Sequence, residues 1–371
     1  MRSQLSDRVS LLLAAAGEFV TPLAVVDEAI RERNLARMQR LASAHGLRLR
    51  PHAKTHKSVH VAQRQVAHGA VGLTAATLKE AEVFAAGGVQ DIVIAHPPVG
   101  EPKLRRLRAL AEHVPHLAVA VDSTEVASST PAAIEVLWEV DTGLHRLGTP
   151  AGEATAAAVR ELVNAIGAER FRGLLTHGGH AYRSASDSEL IEASRAEAAG
   201  LVESAALIRA SGIEVRELSI GSTPTTRYVD RAVDITEMRP GTYVYGDANQ
   251  VQLGSQAQED CALVVVATVI SRPGSERAVI DAGSKALSAD LRVPGVDGYG
   301  IVVDHPALRL DRLSEEHGVL VSKGTIDLAI GDRVAVIPNH VCTVVNLHPA
   351  LLVVGARGDA RWEAVDARGW Q

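Results

Sequence analysis

The sequence predicts an α/β protein: a (β/α)8 TIM barrel followed by a second, mostly antiparallel β domain. Over residues 23–220, short apolar runs alternate with longer amphipathic segments. A strand followed each time by a helix makes parallel strands joined by helical crossovers. From Tyr243 onward the texture changes to short β-rich runs separated by Gly, Pro and Asp, with no long helical pattern.

The strand-like runs are 23–26, 47–52, 71–75, 91–95, 117–121, 134–140, 171–176 and 215–220, eight in number, which suits a closed barrel better than a doubly wound sheet. Helix-like stretches between them include 27–45, 58–68, 77–86, 154–166 and 188–211. Twelve residues separate Val121 from Ile134, and they include Ser-Ser-Thr-Pro, so that crossover helix must be short or broken. The second part has β-like runs at 263–270, 277–281, 300–304, 319–322 and 333–337. The reading is a barrel over 20–245 and a β domain over 246–371, to which residues 1–19 can also belong.

Composition excludes several classes. Hydrophobic residues are 46% and charged residues 22%, the balance of an ordinary globular protein. Net charge is −6 without a basic run, which argues against nucleic acid as a partner. No stretch approaches the roughly 18 apolar residues of a membrane helix. The apolar run after Arg8, residues 11–16, is short for a signal sequence and leads into Gly17-Glu18. Two cysteines, Cys261 and Cys342, cannot make a disulfide framework, so a reducing cytoplasmic setting is expected.

Polar clusters close several strands, and strand C-termini are where barrels gather functional groups. In Arg50-Pro-His-Ala-Lys-Thr-His-Lys57, neighbouring cations would favour the neutral, nucleophilic form of Lys54; a solvated basic turn has the same composition. Asp141-Thr-Gly-Leu-His-Arg-Leu-Gly148 offers Arg146 to an anionic ligand oxygen, or is a plain β-to-α turn. Thr176-His-Gly-Gly-His-Ala-Tyr182 brings His177, His180 and Tyr182 beside two glycines that let backbone approach a ligand. Gly221-Ser-Thr-Pro-Thr225 and Arg239-Pro-Gly-Thr-Tyr-Val-Tyr-Gly246 together form a plausible phosphate cup, with Gly221, Ser222, Thr223, Gly241 and Thr242. In Pro338-Asn-His-Val-Cys342, an extended strand would put His340 and Cys342 on one face, where a His–thiolate pair suits zinc.

These motifs, in this order, resemble the D-threonine aldolase and D-serine dehydratase group of fold-type III, alanine-racemase-like pyridoxal-phosphate (PLP) enzymes, across residues 21–358. Pro51-His-Ala-Lys-Thr-His56 and Pro338-Asn-His-Val-Cys342 are the specific segments. The resemblance implies that Lys54 carries the cofactor aldimine and that Arg146 lies near the cofactor phenolate. Tyr182, Gly221, Ser222, Thr223, Gly241 and Thr242 would hold its ring and phosphate, His177 would join them, and Arg239 would face the pyridine nitrogen. His340 and Cys342 become ligands of a divalent metal, zinc first, with manganese or magnesium as alternatives. A homodimer is implied as well.

A racemase of this fold needs a tyrosine base opposite the lysine. After Tyr245 the chain has only Tyr299, in a Gly-Tyr-Gly setting unlike that motif. The implied activity is a lyase acting on D-3-hydroxy amino acids, with a small-molecule D-amino acid as the partner. In its leading form, dehydratase-type β-elimination, Lys54 takes the Cα proton and a 2-oxo acid and ammonia result. The alternative is retro-aldol cleavage to glycine and an aldehyde, with His180 or a metal-linked water as base. The His-x-Cys form resembles the dehydratase branch more than aldolases, which often place Asp second. A non-catalytic PLP-binding regulatory protein is the remote alternative.

Overall fold

Runs such as Leu117–Val121 are apolar at every position, and a strand of that kind is stable only with both faces covered. In the computed structural model, which describes residues 4–232, 234–290 and 292–369, these runs are buried throughout. The chain divides into two compact units. One, the barrel unit, comprises Ala36–Lys54 and Val59–Gly241, with Gly369. The other, the β unit, comprises the chain up to Leu35, Thr55–Ser58 and Thr242–Arg368.

The barrel unit holds eight parallel strands in the order Arg48–Leu49, Glu237–Met238, Glu217–Ile220, Phe171–Leu175, Glu135–Asp141, His116–Val121, Asp91–Ile94 and Leu73–Ala75. A parallel bridge between His52 and Thr74 joins the last to the first and closes the ring. Helices start on side-chain caps: Thr77 accepts from the Glu80 amide, Ser123 from Val126 and Ser186 from Glu189. The crossover after Val121 is a six-residue helix, Thr124–Ser129, as its short span requires.

One strand of the ring departs from the expectation. Leu23–Asp27 forms a strand, but in the β unit, antiparallel to Leu263–Gly274 and parallel to Ala350–Val354. Its place in the barrel is taken by Glu237–Met238, two residues long and too polar to stand out as an apolar run. Glu237 is tolerated inside because it is paired. Its Oε2 accepts from Arg50 Nε at 2.9 Å, and its Oε1 accepts from Ser219 Oγ at 2.7 Å. Arg50 also donates to both Asp91 oxygens, while Arg172 and Arg48 hold Glu217. This layer of the barrel is a paired ionic network rather than hydrocarbon, and buried charges persist only on such terms.

In the β unit, Arg277–Ile280 pairs with both Gly318–Val321 and Leu263–Gly274, so six antiparallel strands close on themselves. Leu23–Asp27, Ala350–Val354 and Ala360–Ala364 extend the sheet from there. The N-terminal helix Gln4–Ala15 buries Val9 and Leu12 against Val264, Val266, Ala335 and Ile337. No helix among the described residues is long and apolar enough to cross a membrane.

Candidate active site

The barrel strands end around a cavity of about 370 Å³. Lys54, His52, His96, Arg146, His177 and Arg239 line it with Glu139, Gly221 and a few apolar side chains. One carboxylate among so many cationic or basic groups makes a receptor for an anion.

Each of these groups has a local reason for its position. Lys54 stands in a single 3-10 turn, Ala53–Thr55, directly after the strand that His52 closes onto Thr74. The basic cluster foreseen around Lys54 is divided. Arg50 is wholly buried and committed to Glu237 and Asp91, and His56 and Lys57 belong to the β unit, so His52 is the near neighbour that remains. Burial, then the charge on Lys54, pushes the ring of His52 well below the ordinary histidine value, and the same two causes act in the same order on His177. Both rings are therefore neutral. His177 Nδ1 lies 2.9 Å from the Gly221 carbonyl, which can only accept, so Nδ1 carries the proton and Nε2 is an acceptor.

Arg239 is buried and donates to Ser219 Oγ at 2.5 Å and to the Thr176 carbonyl. Through Ser219 it is tied to Glu237 and the ionic layer below. Arg146 is half exposed and lies 3.8 Å from Glu139 Oε1. Glu139 and His96 are the site groups that sequence reasoning missed. A carboxylate two residues before the end of Glu135–Asp141 was the available signal.

His180 and Tyr182 sit in the 3-10 helix Gly179–Arg183, and neither is among the residues lining the cavity. The His180 ring packs on Gly143, where an added Cβ would meet it at 3.5 Å. The glycines at 178 and 179 serve protein contacts: a Cβ on Gly178 would lie 2.7 Å from the Glu197 carboxylate, and one on Gly179 3.1 Å from the His177 ring. Gly221 likewise admits the backbone of Arg239, 2.6 Å from where its Cβ would stand. The Gly221 N–H donates to Glu197 and is not available to a ligand. Ser222 and Thr223 precede the 3-10 helix Pro224–Arg231 and are buried; Gly241 ends the barrel unit, and Thr242 begins a β-unit segment.

Within the β unit, the strand Arg333–Pro338 stops before His340, and Cys342 lies in the first turn of the helix Val341–Leu347. The shared strand face expected for the pair is therefore absent. The turn into the helix nonetheless brings the His340 ring into hydrogen-bond contact with Cys342. Asp290 Oδ2 lies 2.7 Å from His340 Nδ1, which leaves Nε2 for the sulfur side. Thr55 Oγ1 is 3.1 Å from Cys342 Sγ and Thr242 Oγ1 is 3.9 Å away. Asp247, buried, caps both neighbouring helices by accepting from the Gln250 and Val341 amides. Among the described residues no group of three or more His, Cys, Asp and Glu side chains could hold a metal ion. An imidazole and a sulfur, with a carboxylate behind the ring, fit a divalent metal that takes its remaining ligands from substrate and water.

A closed parallel barrel with a basic, lysine-bearing cavity, joined to an antiparallel β unit, defines the class of alanine-racemase-like PLP proteins. Residues 26–249 match the family model "Alanine racemase, N-terminal domain", and residues 262–354 match "Putative serine dehydratase domain". The chain is 37% identical to the D-threo-3-hydroxyaspartate dehydratase of Delftia sp. (strain HT23), covering 94% of this chain and 98% of that one. It is 34% identical to a D-threonine aldolase of Arthrobacter sp., covering 94% and 93%. The solved Delftia structure superposes with a TM-score of 0.87 at 37% identity, covering 95% of this chain and 99% of the other. A cysteine-to-alanine mutant of a D-threo-3-hydroxyaspartate dehydratase has been solved in a metal-free form, with a TM-score of 0.87 at 36% identity and coverage of 95% and 99%. The chain belongs to the D-threonine aldolase and D-serine dehydratase group of the alanine-racemase-like family, and it is a PLP-dependent lyase.

Proposed function

We propose that this lyase acts on D-3-hydroxy amino acids by metal-assisted β-elimination, releasing a 2-oxo acid and ammonia. The observation that carries the reading is the meeting of His340 and Cys342, with Asp290 behind the ring. A cysteine-to-alanine mutant of a D-threo-3-hydroxyaspartate dehydratase in a metal-free form supports the same assignment. Zinc suits an imidazole–thiolate pair, with manganese and magnesium as alternatives.

The cavity fits PLP because Lys54, Arg146 and Arg239 supply an amine and fixed cations for a phosphorylated aldehyde. When bound, the cofactor supplies an electron sink for charge developing at Cα, and the metal supplies Lewis acidity toward a hydroxyl oxygen. The protein does the rest. Lys54 holds the cofactor and its Nζ takes the Cα proton. Arg146 and Arg239 balance negative charge, and Arg239 keeps its place through Ser219 and Thr176. Neutral His177 presents Nε2 as an acceptor without adding charge. Ser222, Thr223, Gly241 and Thr242 are assigned to the phosphate and Tyr182 to the ring. Lys54 lines the cavity and His180 does not, which supports proton removal from Cα over removal from the hydroxyl.

Incubation with D-serine, D-threonine and D-threo-3-hydroxyaspartate, with each metal added in turn, tests this directly. A 2-oxo acid with ammonia is expected. Glycine with an aldehyde would assign the aldolase reaction instead, and turnover of L-substrates alone would refute the stereochemistry. A homodimer in a reducing cytoplasm completes the proposal, and sedimentation of the holoenzyme checks the dimer.

A further inference from the structure

The helix Asp187–Ala210 buries a glutamate, Glu197, on a face otherwise made of Ala193, Ser194, Ala198 and Leu201. A wholly buried carboxylate is costly unless it is hydrogen-bonded. Its Oε1 accepts from two backbone amides, Gly178 N at 2.9 Å and Gly221 N at 2.8 Å. These amides follow two adjacent barrel strands, Phe171–Leu175 and Glu217–Ile220. His177 is the residue before the first amide, and its ring donates to the carbonyl of Gly221, the residue that supplies the second. One oxygen thus fixes the peptide after His177 and the peptide that leads into its ring's acceptor. Gly178 is the residue that permits this, since any side chain there would collide with the carboxylate.

We propose that Glu197 is a positioning residue: it clamps the two loops so that His177 keeps its Nδ1–H tautomer, with Nε2 available in the cavity, and the segment from Ser222 keeps its ligand-holding shape. This rests on reading the cavity as the PLP site. Glu197 is not among the residues lining the cavity and acts through His177 and the 221–223 backbone.

The test compares PLP affinity and the circular dichroism of the bound cofactor's visible band in Glu197→Ala, Glu197→Gln and His177→Asn. Loss of two charge-assisted hydrogen bonds should weaken PLP binding by about tenfold or more in Glu197→Ala and change the dichroic band. Glu197→Gln keeps an oxygen for both amides and should recover most of the affinity. Because both residues act as one unit, the double variant with His177→Asn should lose less than the sum of the single losses. Wild-type affinity and dichroism in Glu197→Ala, or strict additivity, would overturn the inference while leaving the PLP reading intact. If Glu197→Ala does not fold, Gly178→Ala carries the test: it should reproduce the weakened binding, and unchanged binding there refutes the clamp. Failure of the wild-type protein to bind PLP would overturn the cofactor reading and this inference together.

Discussion

In the proposed reaction, Lys54 and the His340–Cys342 pair make separable demands on the chemistry. Replacing Lys54 with alanine removes the amine that the cavity offers. The visible band of lysine-bound PLP should vanish, and lyase turnover should fall by about 10²–10⁴-fold from lost proton transfer alone. An unchanged band in that variant would remove the basis of the cofactor assignment. Asp290 acts at one remove, by holding His340 Nδ1. Asp290→Asn should weaken metal binding by about 10- to 100-fold while leaving PLP affinity unaltered. Metal titration of the chelated holoenzyme reads this, and equal affinity in the two proteins would place Asp290 outside the metal site. At this scale the residue types were legible and their company was not. Lys54, Arg146, His340 and Cys342 stand out in local motifs, whereas the signal for Glu139 is only a carboxylate inside an otherwise apolar strand run, and strand order brings it to the cavity.

At the scale of elements, the helix Asp187–Ala210 depends on its start. Ser186 accepts the Glu189 amide there. Ser186→Ala should cost about 1 kcal/mol of stability. The shift should appear in thermal unfolding with turnover unaffected, since Glu197 lies about three turns further along; a loss of turnover equal to that of a site variant would show that the cap controls the site. Most elements were readable because their apolar periods are long. Glu237–Met238 was not, because a two-residue strand holding a buried glutamate has no apolar period. Leu23–Asp27 was recognisable as a strand, but nothing local says which sheet an apolar strand joins. The extended geometry expected from Pro338 to Cys342 gives way to a helix start, where Asp247 accepts the Val341 amide.

For the whole molecule, the buried histidines set a pH dependence. In the unfolded chain His52 and His177 bind protons near their ordinary value of 6.5, while in the folded chain burial and Lys54 hold them neutral well below it. The unfolded state then binds more protons, so stability is complete above that value and falls as pH drops toward the folded pKa. Buried Glu139 and Glu197, whose carboxyls burial pushes up, act in the opposite sense, so the informative quantity is a difference between variants. Between about pH 8 and about pH 5, His177→Asn should lose less melting temperature than the wild type. Parallel melting curves would contradict a buried neutral ring at 177.

The sequence by itself determined the class of protein. Alternating apolar and amphipathic runs specify parallel strands with helical crossovers, and the order of the motifs along the chain, rather than any one of them, carries the resemblance to the PLP lyases. The tertiary structure alone decided which strand closes the barrel, how His340 and Cys342 meet across a turn, and why Gly178 must lack a side chain. Those outcomes depend on contacts between residues far apart in the chain, such as Glu237 with Arg50 and Glu197 with Gly221, and such pairings leave no period or motif to read.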